Sequence, residues 1–150
     1  MKTVALDPGD RWVGVAISDA MGIIARPYDT AEAGQLIKYI AELLEKERIG
    51  TIVVGHPRTL RGTDSAQTIK VVALFNKLKN RFPNIKWELW DERLSSKQAL
   101  GLGKSGPKTH EQKTQGAQTV HAKAAALILN TYLEFQAFEY QANNTLDSEE

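Results

Sequence analysis

Two groups of acidic residues each follow a short apolar segment, and together they have the chemistry of a divalent-cation site. Asp7 ends the first apolar segment of the chain, and Asp91 and Glu92 end the last short one. A carboxylate at the end of a buried strand must be paired or bind a metal, because an isolated buried charge is costly. Mg²⁺ takes oxygen ligands and leaves coordination positions for phosphate. Each group also has an alternative explanation. Asp7 could equally cap its own turn, and Glu92 or Asp91 could form a surface ion pair with Arg93.

Two polar segments carry basic residues that suit a phosphate-rich partner. The segment 55–65 holds His56, Arg58 and Arg61 among glycines and hydroxyl residues, a composition that favours anion binding through backbone N–H and guanidinium groups. Residues 97–123 contain a single acid, Glu111, and five lysines, namely Lys97, Lys104, Lys108, Lys113 and Lys123. A basic loop beside an acidic metal site is typical of nucleic-acid chemistry. A solvated loop without a ligand is the alternative in both cases.

The elements that must position these residues are read from the hydrophobic periodicity and from the turn residues. Strands are predicted over 2–7, 12–18, 23–26, 51–54 and 85–90. Helices are predicted to end near Arg48, to begin at Asp64 or Ser65, to span 95–100 and to span 119–140, with a mobile loop over 101–116 and a frayed acidic tail from Asn143. This order predicts an α/β protein with a mixed sheet flanked by helices. If the first, fourth and fifth strands are parallel, their ends bring both acidic groups to one edge of the sheet.

The composition of the chain limits the classes of protein to which it can belong. The chain has 150 residues, enough for one domain, with 42% hydrophobic and 25% charged residues, which excludes wholesale disorder. It has no cysteine, and neither a signal peptide nor a membrane span is recognised, so we expect a cytoplasmic protein without a membrane partner. Four acids and no base in 137–150 leave a formal charge of about +5 on residues 1–136. We therefore predict a domain over 1–136 and an acidic C-terminal extension over 137–150.

Four motifs, in order and at suitable distances, carry a resemblance to a known family. They are Leu6-Asp7-Pro8-Gly9 with Arg11, Val13-Gly14-Val15-Ala16 and Ser18-Asp19; Val53-Val54-Gly55-His56-Pro57 with Gly62; Trp90-Asp91-Glu92-Arg93-Leu94-Ser95-Ser96; and Ala124-Ala125-Ala126-Leu127-Ile128-Leu129 with Tyr132-Leu133. From about Lys2 to Leu133 the chain resembles the YqgF (RuvX) family of Holliday junction resolvase-like proteins, also described as pre-16S rRNA nucleases.

The resemblance implies an RNase H-like fold with sheet order 3-2-1-4-5 and a phosphodiesterase that depends on Mg²⁺ or Mn²⁺. It implies a structured substrate, pre-16S rRNA in ribosome biogenesis or else branched DNA. The implied catalytic residues are Asp7, Asp91, Glu92 and His121, with Asp7, Glu92 and His121 as metal ligands. The residues expected to contact nucleic acid are Arg11, Arg58, Arg61, Arg93, Lys104, Lys108 and Lys113.

His121 is where this chain departs from the family pattern, which usually has an Asp just before the small-residue run of the last helix. An imidazole replaces a carboxylate as a ligand of Mn²⁺ and, less favourably, of Mg²⁺. Small or apolar residues three, four, seven and eight positions later predict that His121 faces the acids from the start of that helix. A helix-start histidine without a ligand role is the alternative.

Two alternative functions, each from another class of protein, stay open in addition to a nuclease. One is a weakly active or inactive RNase H-like module that holds RNA. The other, less favoured because no motif for a base or a ribose is visible, is a small-molecule phosphotransferase. We expect a monomer or a weak homodimer. Divalent-ion binding that depends on Asp7 separates the nuclease from the binding module.

Overall fold

Five strands form one mixed sheet in the order β3-β2-β1-β4-β5 in this computed structural model, which describes residues 1–56, 66–92 and 110–147. The strands are β1 (Lys2–Pro8), β2 (Trp12–Ser18), β3 (Ala25–Glu32), β4 (Ile49–His56) and β5 (Lys86–Asp91). A 3₁₀ turn (Ala33–Gln35) precedes α1 (Leu36–Lys46), and the other helices are α2 (Ala66–Arg81) and α3 (His110–Asp147). The predicted α/β class and the sheet order 3-2-1-4-5 are confirmed.

The directions of the strands decide where the acidic groups lie. β1 pairs antiparallel with β2, which pairs antiparallel with β3, whereas β1, β4 and β5 are parallel to one another. The carboxyl ends of β1, β4 and β5 therefore meet at one edge of the sheet. This edge carries Asp7, His56 and Asp91, and Glu92 follows directly.

One face of the sheet is covered by α1 and α2 and holds most of the large aliphatic side chains. Its buried members on the strands are Val4, Leu6, Val13, Val15, Ile17, Ile49, Ile52, Val54 and Trp87. Leu36, Ile40 and Leu43 of α1 and Val71 and Leu78 of α2 pack onto them. Because side chains alternate along a strand, the residues between these must point to the other face.

The other face is built from small residues, which lets α3 lie close to the sheet. Ala5, Ala16 and Val53 are its buried strand residues, and the five side chains of α3 that cover them include Ala125 and Leu129. The contact is closest at Gly14 of β2. A Cβ atom added there would overlap the backbone carbonyl oxygen of His121 and would lie 3.1 Å from the backbone nitrogen of Ala122. Only glycine accommodates the backbone of α3 at this distance.

The third strand differs from its prediction. The sequence predicted it over 23–26, with Pro27 as the stop, but β3 begins at Ala25 and continues to Glu32. β3 is an edge strand, so the missing N–H group of Pro27 costs the sheet no hydrogen bond. The register between β2 and β3 shifts between Val15 and Ala16, opposite this proline. Ile23 and Ile24 instead lie in an exposed turn, where their N–H groups donate to the Asp19 carboxylate at 2.7 and 3.0 Å.

The last helix is longer at both ends than predicted. It begins at His110 rather than Thr119, so part of the segment predicted as a mobile loop is helical. Residues 110–118 are mostly good helix formers, and Gly116 is a modest penalty inside them. At the other end the helix continues through Asn143, predicted as frayed, to Asp147, because adding a residue to a formed helix costs little. The division into 1–136 and 137–150 stays a prediction, and α3 passes residue 136 without a break.

The predicted helix over 95–100 and the predicted caps Asp64 and Ser65 lie outside the described residues. Within the described part of the chain, no helix combines the length and apolar character that crossing a bilayer requires. The cytoplasmic location stays a prediction.

Gly14→Ala is expected to lower the free energy of unfolding by about 3 kcal/mol, since the new methyl group must push the backbone of α3 off the sheet. Gly34→Ala is the matched control, because no atom lies within 4 Å of its added Cβ. The control is expected to change stability by no more than about 1 kcal/mol. Urea denaturation followed by circular dichroism measures both. Equal stabilities for the two variants would contradict the close contact between α3 and β2.

Candidate active site

The side chains of Asp7 and Glu92 form a hydrogen-bonded carboxyl pair at the sheet edge. Asp7 lies on the α3 face of β1, two residues after the buried Ala5. Glu92 follows the end of β5, and its N–H donates to the carbonyl oxygen of His56 at 3.1 Å. The two carboxyl groups share a hydrogen bond, which requires one of them to hold a proton.

Burial and like charge together keep that proton on the pair. Burial raises the pKa of Glu92, and its hydrogen bond and charge repulsion with Asp7 raise it further, to about 8. Burial also raises the pKa of Asp7, although its hydrogen bond to Glu92 and the nearby charge of His121 oppose this. Glu92 is therefore the proton donor and Asp7 the acceptor. A buried pair of carboxyl groups with one shared proton is an arrangement seen at catalytic and metal-binding sites.

His121 lies beside this pair, as its position in α3 predicted. Its imidazole is close enough to Asp7 to affect the pKa of that carboxyl. A Cβ added at Gly9, in the turn after β1, would lie 3.9 Å from His121 Cε1. The predicted register is confirmed, since Ala125, Ile128 and Leu129 are buried and Lys123 is exposed. The predicted place at the start of the helix is wrong, because α3 begins eleven residues earlier.

Gly55 of β4 provides the space that Glu92 occupies. A Cβ added at Gly55 would lie 2.6 Å from Glu92 Oε1 and 2.7 Å from Ile128 Cδ1. The absence of a side chain thus allows the Glu92 carboxyl to lie over β4, between the sheet and α3. Gly9 has a similar role in the turn after β1, where an added Cβ would lie 2.7 Å from the carbonyl oxygen of Trp12.

Asp91 and His56 are not brought together with the pair. Asp91 is paired with His56 in the β4–β5 register, and each lies two residues after a side chain of the α1–α2 face, Leu89 and Val54 respectively. Strand alternation therefore directs both side chains to the face opposite Asp7. Asp91 contributes only the smallest of the influences that raise the pKa of Glu92. The catalytic role predicted for Asp91 stays a prediction, without a place in the carboxyl pair.

Most of the predicted nucleic-acid contacts lie beyond what the structure describes. Arg58, Arg61, Arg93, Lys104 and Lys108 fall outside the described residues, and for Lys113 only the helical backbone is described. Arg11 is described: it is exposed in the β1–β2 turn, and its guanidinium lies 5.2 Å from the centre of the Trp12 ring.

The donor atoms at this edge fit a divalent cation. Two carboxyl groups that lie together despite burial and charge repulsion are suited to hold a cation in place of their shared proton, and an imidazole lies next to them. Among the described residues, no three histidine or acidic side chains already converge as ligands of one ion. The assignment of Asp7, Glu92 and His121 as metal ligands therefore stays a prediction.

The positions that sequence reasoning missed are the two glycines that make room for the site. Gly14 and Gly55 were read as parts of a motif, without a structural role. A signal is present, because Gly14 and Ala16 share one face of β2, and Ala16 pairs with Ala5 of the neighbouring strand β1. Small residues that lie together on one face of neighbouring strands indicate a face on which a helix lies close.

The metal-free protein is expected to lose stability as pH rises from about 5 to about 8, relative to the Glu92→Gln variant. The pKa of Glu92 is about 8 when folded, against 4.5 as the reference value, so the folded state holds the extra proton in this range. Deprotonation at higher pH therefore favours unfolding. Urea denaturation at several pH values in the presence of EDTA measures the difference. Parallel stability curves for wild type and variant would contradict the shared proton.

Comparisons with known proteins show the family to which the sequence is related. The family model described as "RuvX: Holliday junction resolvase" matches residues 1–135. A protein of Rubrobacter xylanophilus named "Putative pre-16S rRNA nuclease" is 35% identical over 133 residues, which cover 89% of this chain and 92% of that protein. A Fusobacterium nucleatum protein of the same name is 36% identical over 137 residues, covering 90% and 98% of the two chains.

The solved structure of T. thermophilus RuvC in complex with Holliday junction substrate has the same fold. Its TM-score is 0.60 at 13% sequence identity, and the match covers 93% of this chain and 96% of that chain. The predicted RNase H-like fold is thereby confirmed. The family model covers nearly the whole chain, and relatives above 30% identity align over nine-tenths of it, so this chain belongs to the RuvX family of Holliday junction resolvase-like proteins.

Proposed function

We propose that this chain is a metal-dependent nuclease that hydrolyses phosphodiester bonds of structured RNA, with the 5′ region of pre-16S rRNA as its substrate in ribosome biogenesis. The observation that carries the proposal is the Asp7–Glu92 carboxyl pair at the carboxyl edge of an RNase H-like sheet. The names of the relatives supply the substrate. Asp7 and Glu92 would hold a divalent ion, Mg²⁺ or Mn²⁺, which would supply an activated water molecule and positive charge at the scissile phosphate.

The protein's own residues prepare the site for that reaction. Asp7 and Glu92 supply two anionic oxygen donors once their shared proton leaves, and Gly55 keeps Glu92 beside α3. Gly9 leaves the turn after β1 without a side chain next to His121, which lets a phosphate approach the backbone there. Arg11 is exposed in the same turn, and its guanidinium suits contact with a phosphate group.

Asp7→Asn is expected to reduce RNA cleavage by about 100-fold or more. Loss of a group that only supports a metal ligand costs about 10–100-fold in activity, and loss of the ligand itself should cost at least as much. Asn keeps the shape and removes the charge. The assay measures cleavage of an RNA that carries the precursor 5′ end of 16S rRNA and compares it with an RNA that has the mature end. Both reactions contain Mg²⁺ or Mn²⁺. Glu45→Gln is the matched control, since it removes the same charge from an exposed position of α1, on the other face of the sheet.

The outcomes of this assay separate the open alternatives. Binding of RNA without cleavage by the wild type, at any divalent-ion concentration, would favour the inactive binding module and overturn the nuclease. A four-way DNA junction belongs in the same assay because the family description names a resolvase. Faster cleavage of the junction than of the RNA would replace the proposed substrate.

RNA affinity is expected to fall steeply with salt, and Lys104→Ala, Lys108→Ala and Lys113→Ala together should lower the slope of log K against log salt by about one for each lysine. These three lysines are chosen because they belong to the basic segment 97–123 of the sequence. A control replaces Lys38, Lys77 and Lys79 by Ala, since these exposed lysines lie on the helices of the opposite face. Fluorescence anisotropy at several salt concentrations measures both slopes. Equal slopes for the two triple variants would exclude the segment from the interface.

A further inference from the structure

The polar group beside the carboxyl pair is an imidazole, and this fixes the kind of donors available to a cation. Asp7 and Glu92 offer oxygen atoms, and His121 offers a nitrogen atom. Mg²⁺ is a hard ion that prefers oxygen donors and binds imidazole poorly. First-row transition ions accept mixed nitrogen and oxygen donors, with affinity that increases from Mn²⁺ towards Cu²⁺.

The position of His121 is fixed by the backbone rather than by a flexible side chain alone. Its carbonyl group rests on Gly14, whose strand partner in β1 is Asp7. The imidazole also lies against Gly9, in the turn that follows Asp7. His121 is therefore held over the carboxyl end of β1 from two directions, and this arrangement limits how far its ring can withdraw from Asp7.

The alternatives for a nitrogen donor near the pair are few among the described residues. His56 belongs to the opposite face of the sheet by strand alternation, as does Asp91. Lys123 is exposed and lies off the face of α3 that contacts the sheet. His121 is thus the described side chain that adds a nitrogen donor beside Asp7.

We propose that His121 makes this site selective for a transition-metal ion such as Mn²⁺ over Mg²⁺, by serving as a nitrogen ligand beside the Asp7 and Glu92 carboxylates. The inference rests on the proposed function for the existence of the metal site. It goes beyond that function by naming the residue that sets ion preference. With one carboxylate fewer than a three-acid site, the pair also offers less charge to a hard ion that binds mainly by electrostatics.

Calorimetric titration of the full chain with Mn²⁺ and with Mg²⁺, at one mildly alkaline pH, tests the proposal. In His121→Asp, the ratio of the Mg²⁺ to the Mn²⁺ dissociation constant is expected to fall by about tenfold or more, because loss of a direct ligand matters at least as much as loss of its support. Val120→Asp is the matched control. It adds the same negative charge one residue earlier, at an exposed position of α3, and should leave the ratio unchanged.

A second measurement detects the proposed ligand directly in the wild-type protein. Electron spin echo spectroscopy of the wild-type protein loaded with Mn²⁺ detects the nuclear spin of a directly bound imidazole nitrogen. The nitrogen signal is expected in the wild type and in His56→Gln, and it should be lost in His121→Asp.

Each outcome has one meaning. An equal change of the ratio in His121→Asp and Val120→Asp would show a charge effect and overturn ligation by His121. A Mn²⁺ complex without the imidazole signal would do the same while leaving the metal site, and the nuclease proposal, intact. Failure of wild type to bind either ion in a manner that depends on Asp7 would overturn the metal site itself, and with it this inference.

Discussion

The contact between the backbone of α3 and Gly14 determines the geometry of the whole site. It brings the helix close enough for His121 to lie beside Asp7 and for Ile128 to lie beside Glu92 over Gly55. The contact depends on a sheet face where alanine and glycine predominate, whereas the opposite face consists mainly of valine, leucine and isoleucine. The difference in side-chain size between the two faces is thus a functional feature, because it sets how closely each set of helices approaches.

The partly buried Asp7–Glu92 carboxyl pair lowers the stability of the folded state, and the rest of the fold must compensate for this. Two acids in a half-buried position disfavour ionisation, and a shared proton is how the metal-free protein reduces the repulsion. The central residues of β1 and β4 beneath the pair are fully buried and aliphatic, and the pair sits where β1 and β5 both pair with β4. Sites that conflict with local stability are expected where a protein acts on a ligand.

Apolar periodicity and turn residues predicted the five strands and a mixed sheet, whereas the sheet order came from the family resemblance. The convergence of Asp7 with Glu92 followed on the condition that β1, β4 and β5 are parallel, which they are. The sequence did not separate Asp91 from Glu92. Neighbours in a strand point to opposite faces, and the face of each is set by the register of β5, which is visible only once the packing of Trp87 and Leu89 is known. The length of α3 was also missed. A polar segment with a glycine resembles a loop in composition, although most of its residues favour a helix.

Charge is distributed along α3 in a way that suits a substrate rich in phosphate. From Ala124 to Asp147 there are three acids and no base, whereas Lys113 and Lys123 flank His121. A helix rises about 1.5 Å per residue, so Asp147 lies roughly 39 Å along the axis from His121. That distance is several times the Debye length of about 8 Å at physiological salt, so the acidic end does not repel a phosphate at the site. The same acids disfavour contact of nucleic acid with the far end of the helix, which directs the substrate to the end of the molecule that holds Asp7 and Glu92.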